Sequence, residues 1–298
     1  MRRRALLLVA LVAAAGCGAD EGGGGGGGER SSRLVDFKKK PPYVNALEID
    51  PQDDSFLLTT NRGFYRIPED GGEPERVKAK VVAKQGTSPV GTFLEVDVLG
   101  PGEVVGSGHP DDPEALPPYL GFLRSTDGGR TFKVVSRLGE ADLHQIRRIH
   151  DRLYAFDAVL GAILVSEDEG KTWEERFTPR QLILDFVVDP EDPEHLIAST
   201  EEQIYRSEDG GEKWRPSAQG SAPRLDWPAP DTIMRADKDG LFQVSTDGGQ
   251  TWERRGRLEG EPYKVRALDA EHAFVALSDG TIMETEDGGR SFEERFRP

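Results

Sequence analysis

Ser125-Thr126-Asp127-Gly128-Gly129-Arg130-Thr131-Phe132 recurs four more times along this chain, with small changes. The later copies are Ser166-Glu167-Asp168-Glu169-Gly170-Lys171-Thr172-Trp173 and Ser207-Glu208-Asp209-Gly210-Gly211-Glu212-Lys213-Trp214, then Ser245-Thr246-Asp247-Gly248-Gly249-Gln250-Thr251-Trp252 and Thr285-Glu286-Asp287-Gly288-Gly289-Arg290-Ser291-Phe292. Successive aspartates lie 41, 41, 38 and 40 residues apart. A fixed period of this size is the mark of a repeat architecture. Asp127, Asp168, Asp209, Asp247 and Asp287 are therefore read as structural turn residues. The glycines admit positive φ, and the hydroxyl and carboxylate can accept backbone N–H bonds across a tight loop.

Each period holds four short segments rich in β-branched, aromatic and aliphatic residues, separated by glycine, proline or charged residues. In the third period they are Leu143–Ile149, Leu153–Asp157, Ala162–Ser166 and Thr172–Phe177. Corresponding segments are Leu182–Val188, His195–Thr200, Ile204–Ser207 and Lys213–Arg215 in the fourth. Such segments predict a four-stranded antiparallel meander with the repeated turn between its third and fourth strands. No sustained 3.6-residue apolar period is present, so little or no helix is expected. A degenerate earlier copy, Tyr65 to Gly72, brings the count to six, and the expected fold is an all-β, six-bladed β-propeller over residues 41–298. Closure is expected by packing of the first blade on the last, without strand exchange. From Asp70 to Asp127 the spacing stretches to 57 residues, and the excess is assigned mainly to the proline-rich loop Gly108–Pro118.

The amino terminus carries Arg2, Arg3 and Arg4, then apolar residues from Ala5 to Ala15, then Gly16-Cys17. Residues 1–16 read as an export signal, too short to span a bilayer. Val12-Ala13-Ala14-Ala15-Gly16-Cys17 resembles a bacterial lipobox, which implies lipidation at Cys17, the only cysteine. Residues 17–40, with glycines 22–28, read as a flexible tether. The expected location is outside the cytoplasm, on the outer face of a bacterial membrane, held by the lipid on Cys17. The formal net charge is −16, and loss of the three leader arginines makes the mature chain more negative still. Such a surface repels phosphate backbones, so no nucleic-acid partner is expected.

The five turn motifs resemble the Asp-box (BNR) repeat. Asp-box propellers include the sialidases, and Tyr65-Arg66-Ile67-Pro68 looks like the sialidase motif whose arginine binds the sialic-acid carboxylate. Position favours another reading: Arg66 stands in register with Arg124 and Arg206, on a third strand away from the axis. A closer resemblance covers nearly the whole mature chain and includes Ser107-Gly108-His109-Pro110 and Gly139-Glu140-Ala141-Asp142-Leu143-His144. It is to bacterial Asp-box proteins labelled glycosylhydrolases, distantly similar to the sortilin propeller and to photosystem II assembly-factor propellers. That label rests on a shared fold, and fold does not carry function with it.

In a blade, loops from the second to the third strand share one face with the connections to the next blade, and the Asp boxes lie on the other. His109, Asp111, Asp112, Asp142, His144 and Asp157 therefore converge at the junction of the second and third blades, opposite the boxes. They are the candidate binding residues for a glycan, peptide or protein. Asp142 and Asp157 are the weak candidates for catalysis if the protein is a glycoside hydrolase, the alternative reading. One carboxylate per box is too few for calcium; no cofactor and no metal is expected. His150, His195 and His272 are assigned structural places, and Trp227 is assigned to the core.

Overall fold

A computed structural model describes residues 43–176, 182–219 and 223–298. The expectations for residues 1–16 and 17–40, including Cys17, and the placement of Phe177 lie outside these residues. The described residues form six sheets and no helix, so none is long and apolar enough to cross a membrane.

Each sheet draws all its strands from one contiguous stretch. Blade 1 runs Val44–Ile49, Phe56–Thr60, Gly63–Ile67 and Glu75–Arg76, and blade 6 runs Pro262–Ala267, Ala273–Leu277, Ile282–Thr285 and Glu293–Phe296. The ring closes as expected, by packing of whole blades and not by a shared strand.

Burial follows position in the blade. The second strand of blade 6 is buried at every residue, whereas the outermost strand of blade 3, Glu174–Arg176, is largely exposed. A middle strand is covered on both faces by neighbouring blades, so it is continuously apolar and not alternating. The core is accordingly divided into six layers between adjacent blades. One layer joins Val44, Phe56 and Leu58 of blade 1 to Phe274 and Ile282 of blade 6.

Two expectations about strand placement need correction. The second sheet has six strands, because residues between blades 1 and 2 form a hairpin of Lys80–Val82 and Thr87–Pro89. Lys80–Val82 adds in parallel to the outermost strand of blade 2, Thr131–Ser136. The extra length before Asp127 is thus shared between this hairpin and the loop after Gly108, and does not sit mainly in that loop. The fourth strand of blade 4 is Arg215–Gln219, later than Lys213–Arg215, because Asp209 takes the Lys213 N–H into its turn at 2.7 Å.

Candidate functional site

The Asp boxes define one face of the ring. In each, a buried hydroxyl accepts the N–H of the second glycine and donates to the aspartate, as Ser166 Oγ does with Gly170 N at 2.8 Å and Asp168 Oδ1 at 2.9 Å. Asp168 Oδ1 also accepts Thr172 N–H at 2.8 Å. These bonds hold the Asp168 carboxyl down at about 2, the Thr172 backbone N–H first among them. The turn between first and second strands lies on the same face: Gly128 N–H donates to Gly102 O at 2.9 Å. The degenerate copy in blade 1 keeps only the bond from Gly72 N–H to Asp70 Oδ1. Arg66, on the third strand, binds Asp50 Oδ2 at 2.6 Å and Asp53 Oδ1 at 2.9 Å, beside this box-face turn.

On the opposite face the chain brings together three of the six candidate residues. His109 stands at the start of the loop between the second and third strands of blade 2. Asp142 immediately precedes the inner strand of blade 3, Leu143–Ile149, and His144 is its second residue. Asp142 Oδ2 lies 3.5 Å from His109 Nε2 and 3.3 Å from His144 Nε2. His109 Nδ1 meets Pro118 O at 2.7 Å, and its ring packs against Phe93 and Tyr119. The bond to Asp142 raises the His109 pKa above its ordinary value. For His144 burial is the largest single effect and pulls downward, but the bond to Asp142 and the charges of Asp142 and Glu95 together outweigh it, and the net direction is also up. Burial would raise the Asp142 carboxyl, yet the two imidazoles hold it far below the usual carboxylate range.

The other three candidates serve the loops. Asp157 is fully buried; its Oδ1 accepts Val159 N–H at 2.9 Å and Asp142 N–H at 3.4 Å, with Arg137 Nη2 3.8 Å from Oδ2. Asp111 Oδ1 takes Thr92 Oγ1–H at 2.5 Å. Asp112 caps its own turn through Glu114 N–H at 3.0 Å. Asp157 is thus enclosed by its loop, while Asp142 is shared between the two imidazoles.

The axial channel contains a second constellation that motif reading did not single out. Arg147 lies 3.2 Å from Asp185 and 3.5 Å from Asp226, while Arg266 lies 3.0 Å from Glu48 and 3.9 Å from Asp226. Lys264 reaches across to Glu95 at 2.9 Å. Burial, with Asp97 and Asp226 nearby, pushes the Glu48 carboxyl up to about 8. Several of these charges alternate with apolar residues on inner strands, as in Leu94-Glu95-Val96-Asp97-Val98, and that pattern was the available signal. A cavity of about 200 Å³ opens where these strands end, with Asp97, Arg147, Asp226 and Arg266 in its wall.

The remaining histidines have structural partners. His195 meets Asp189 at 3.2 Å and packs edge-on against Trp227, which fills the layer between blades 4 and 5. His150 Nε2 meets Asp189 O at 2.8 Å. His272 Nε2 lies 2.8 Å from Glu284. With Glu286 these two residues form a surface group close enough to hold a metal ion, although Arg295, 3.6 Å away, also claims Glu284.

Residues 121–243 match the family model described as Sortilin, neurotensin receptor 3, and residues 243–254 match the BNR/Asp-box repeat. Photosystem II assembly lipoprotein Ycf48 of Synechococcus sp. (strain CC9902) is 32% identical over 118 residues, covering 34% of this chain and 34% of that relative. The similarity thus spans about a third of the length of the curated relative. Among solved structures, YCF48 bound to D1 peptide superposes with a TM-score of 0.52 at 15% identity, covering 86% of this chain and 82% of that one. A chain of a nidogen/laminin complex gives 0.58 at 14% identity, covering 82% and 92%. At these identities the structural likeness concerns the fold alone. Repeat, ring and matched segments together make the chain a β-propeller built from BNR/Asp-box repeats.

Proposed function

We propose that this protein is an exported, lipid-tethered propeller that binds an extended segment of another protein on the face opposite its Asp boxes. One observation carries the reading. Tyr43, Phe93, Val159, Leu160 and Leu182 are five of the seven large apolar side chains exposed among the described residues. Tyr43 leads into the first strand of blade 1, and the other four belong to inter-blade connections or second-to-third-strand loops, all on that face. Apolar groups left in water around a polar centre are the composition of a protein-binding patch. The centre supplies His109, Asp142 and His144, with Arg224 stacked on Tyr263 at 5.0 Å. The solved neighbour with a bound D1 peptide is consistent with a peptide ligand, and the Synechococcus relative, a lipoprotein by name, is consistent with an anchor at Cys17.

A photo-crosslinking amino acid at Leu160 or Leu182 should trap a protein adduct in the envelope of the native host. The same probe at Leu268, on the box face, should not. Adducts from Leu268 alone would reverse the assignment of faces. Cys17→Ala should release the protein from the membrane fraction; unchanged sedimentation would remove the anchor from the reading.

A further inference from the structure

Blade 5 departs from the other Asp-box blades at one place. Two residues before the box hydroxyl, the third strand carries Leu123, Leu164, Tyr205 and Met283 in blades 2, 3, 4 and 6, but Gln243 in blade 5. Their partners on the second strand are Gly106, Ala155, Ala198 and Val275, whereas Gln243 pairs with Arg235. Positions that the repeat fills with apolar or small residues are here an amide and a guanidinium. Arg235 is satisfied: it is 4% exposed and binds both oxygens of Asp237 at 2.9 Å. Gln243 is not. It is 8% exposed, yet its amide makes no hydrogen bond among the described residues.

The box tryptophan departs in the same blade. Trp173 and Trp214 donate Nε1–H to Gly170 O and Gly211 O, at 3.1 and 3.0 Å. Trp252 Nε1 is buried without an acceptor, and its ring lies under the Arg235 guanidinium at 5.0 Å. Gln243 and Trp252 line one cleft of about 610 Å³ between blades 4 and 5. Arg254 and Glu202 also line it and take part in no ion pair among the described residues. The charges in the wall cancel, Glu202 and Asp237 against Arg235 and Arg254, on a chain whose formal charge is −16.

Trp252 Nε1, buried without a partner, is a destabilising feature, and the Gln243 amide, which is not shut off from solvent, lines the cleft unengaged where blades 2 and 3 carry leucine. We infer that the cleft between blades 4 and 5 is a binding site for a short neutral saccharide, with Gln243 as its principal hydrogen-bonding residue. Hydroxyl groups both donate and accept, which suits an amide with neither end engaged. The absence of net charge in the wall suits an uncharged sugar. The volume falls within the range of small-ligand pockets, roughly 300 to 1,000 Å³, and admits about two hexose units. This site is separate from the protein-binding face proposed above and does not depend on it.

The test follows the Trp252 indole N–H resonance, assigned by its absence in Trp252→Phe, during titration with maltose, cellobiose and chitobiose. At least one disaccharide should move it saturably. Gln243→Leu, which installs the residue of blades 2 and 3, should fold normally and weaken binding by about tenfold or more, as loss of a buried hydrogen-bonding partner predicts. The inference fails if no disaccharide moves the resonance, or if Gln243→Leu binds as well as the parent. A response to tri-alanine instead of the sugars would overturn it as well, in favour of a peptide cleft.

Discussion

At Gly170 two demands meet that only glycine satisfies together. Its φ of +80° lies in the left-handed region. A Cβ there would also stand 2.1 Å from Cε1 of Phe122, on the blade before. Gly289 repeats the arrangement, with Phe242 Cδ1 at 2.2 Å, and Gly129 does so with Phe64. The box is therefore an inter-blade device as much as a turn: its second glycine is the socket into which the neighbouring sheet packs. Gly170→Ala should destabilise the protein by about 2–4 kcal/mol, combining left-handed strain with overpacking. Gly161 is the control, with φ +69° and nothing within 4 Å of the added Cβ. Gly161→Ala should bear the strain alone, about 1 kcal/mol. Equal losses of urea stability in the two variants would show that the socket contributes nothing.

At the scale of elements, the meander was legible because its signals are local. Apolar segments alternate with turn residues, and Ser166, Asp168 and Gly170 specify their hairpin without help from elsewhere. The hairpin before blade 2 was not legible, since Lys80–Val82 finds its place only by pairing with a strand some fifty residues later. The same divide runs through the candidate site. Strand direction alone brings His109, Asp142 and His144 to one face. Nothing local reveals that Asp157 is swallowed by the loop, or that Glu48 of blade 1 meets Arg266 of blade 6. The His109–Asp142–His144 contact fastens the loop after Gly108 to blade 3, and its pH response has a definite sign. Both histidine pKa values are raised, so their stabilisation is complete below about pH 6.5 and is lost as pH rises through the raised values. The lowered Asp142 carboxyl contributes fully above about pH 3.8, and that contribution declines as pH falls from there toward its folded value. The loop is thus fastened in mild acid and freed first on the alkaline side. With the two imidazoles 39% and 42% exposed, solvent screening holds each pair below about 1 kcal/mol. Amide exchange of residues 109–121, corrected for intrinsic rates, should accelerate a few-fold between about pH 5.5 and 8.5. Asp142→Asn should remove that dependence; its persistence would exclude the contact as the cause.

At the scale of the ring, two kinds of bond join the blades, and they differ in what they resist. The axial charges reach across the channel: Arg147 links blade 3 to blades 4 and 5, Arg266 links blade 6 to blades 5 and 1, and Lys264 links blade 6 to blade 2. Such buried pairs add little net stability, but breaking one strands its partner, so they fix blade order and spacing more than they drive folding. The driving term lies in the six apolar layers. Five of these lie between blades that are consecutive in the chain, whereas the layer between blades 6 and 1 closes the ring with no covalent connection and no shared strand. Phe274, 5% exposed, meets Phe56 edge-on at 4.9 Å there, with Arg295 Nε donating to Glu69 O at 2.9 Å nearby. Phe186, in the layer between blades 3 and 4, is also buried, at 0% exposure. Phe→Ala at either position removes a similar apolar area and should cost about 3–5 kcal/mol. The manner of the loss should differ. In Phe274→Ala the seam opens while the other layers hold, so amides of Val44–Ile49 and Ala273–Leu277 should exchange through a partial opening ahead of global unfolding. In Phe186→Ala the chain still bridges the weakened layer, and protection should fall across all six blades together. Uniform exchange in both variants would mean that the seam is no weaker than the covalently connected layers.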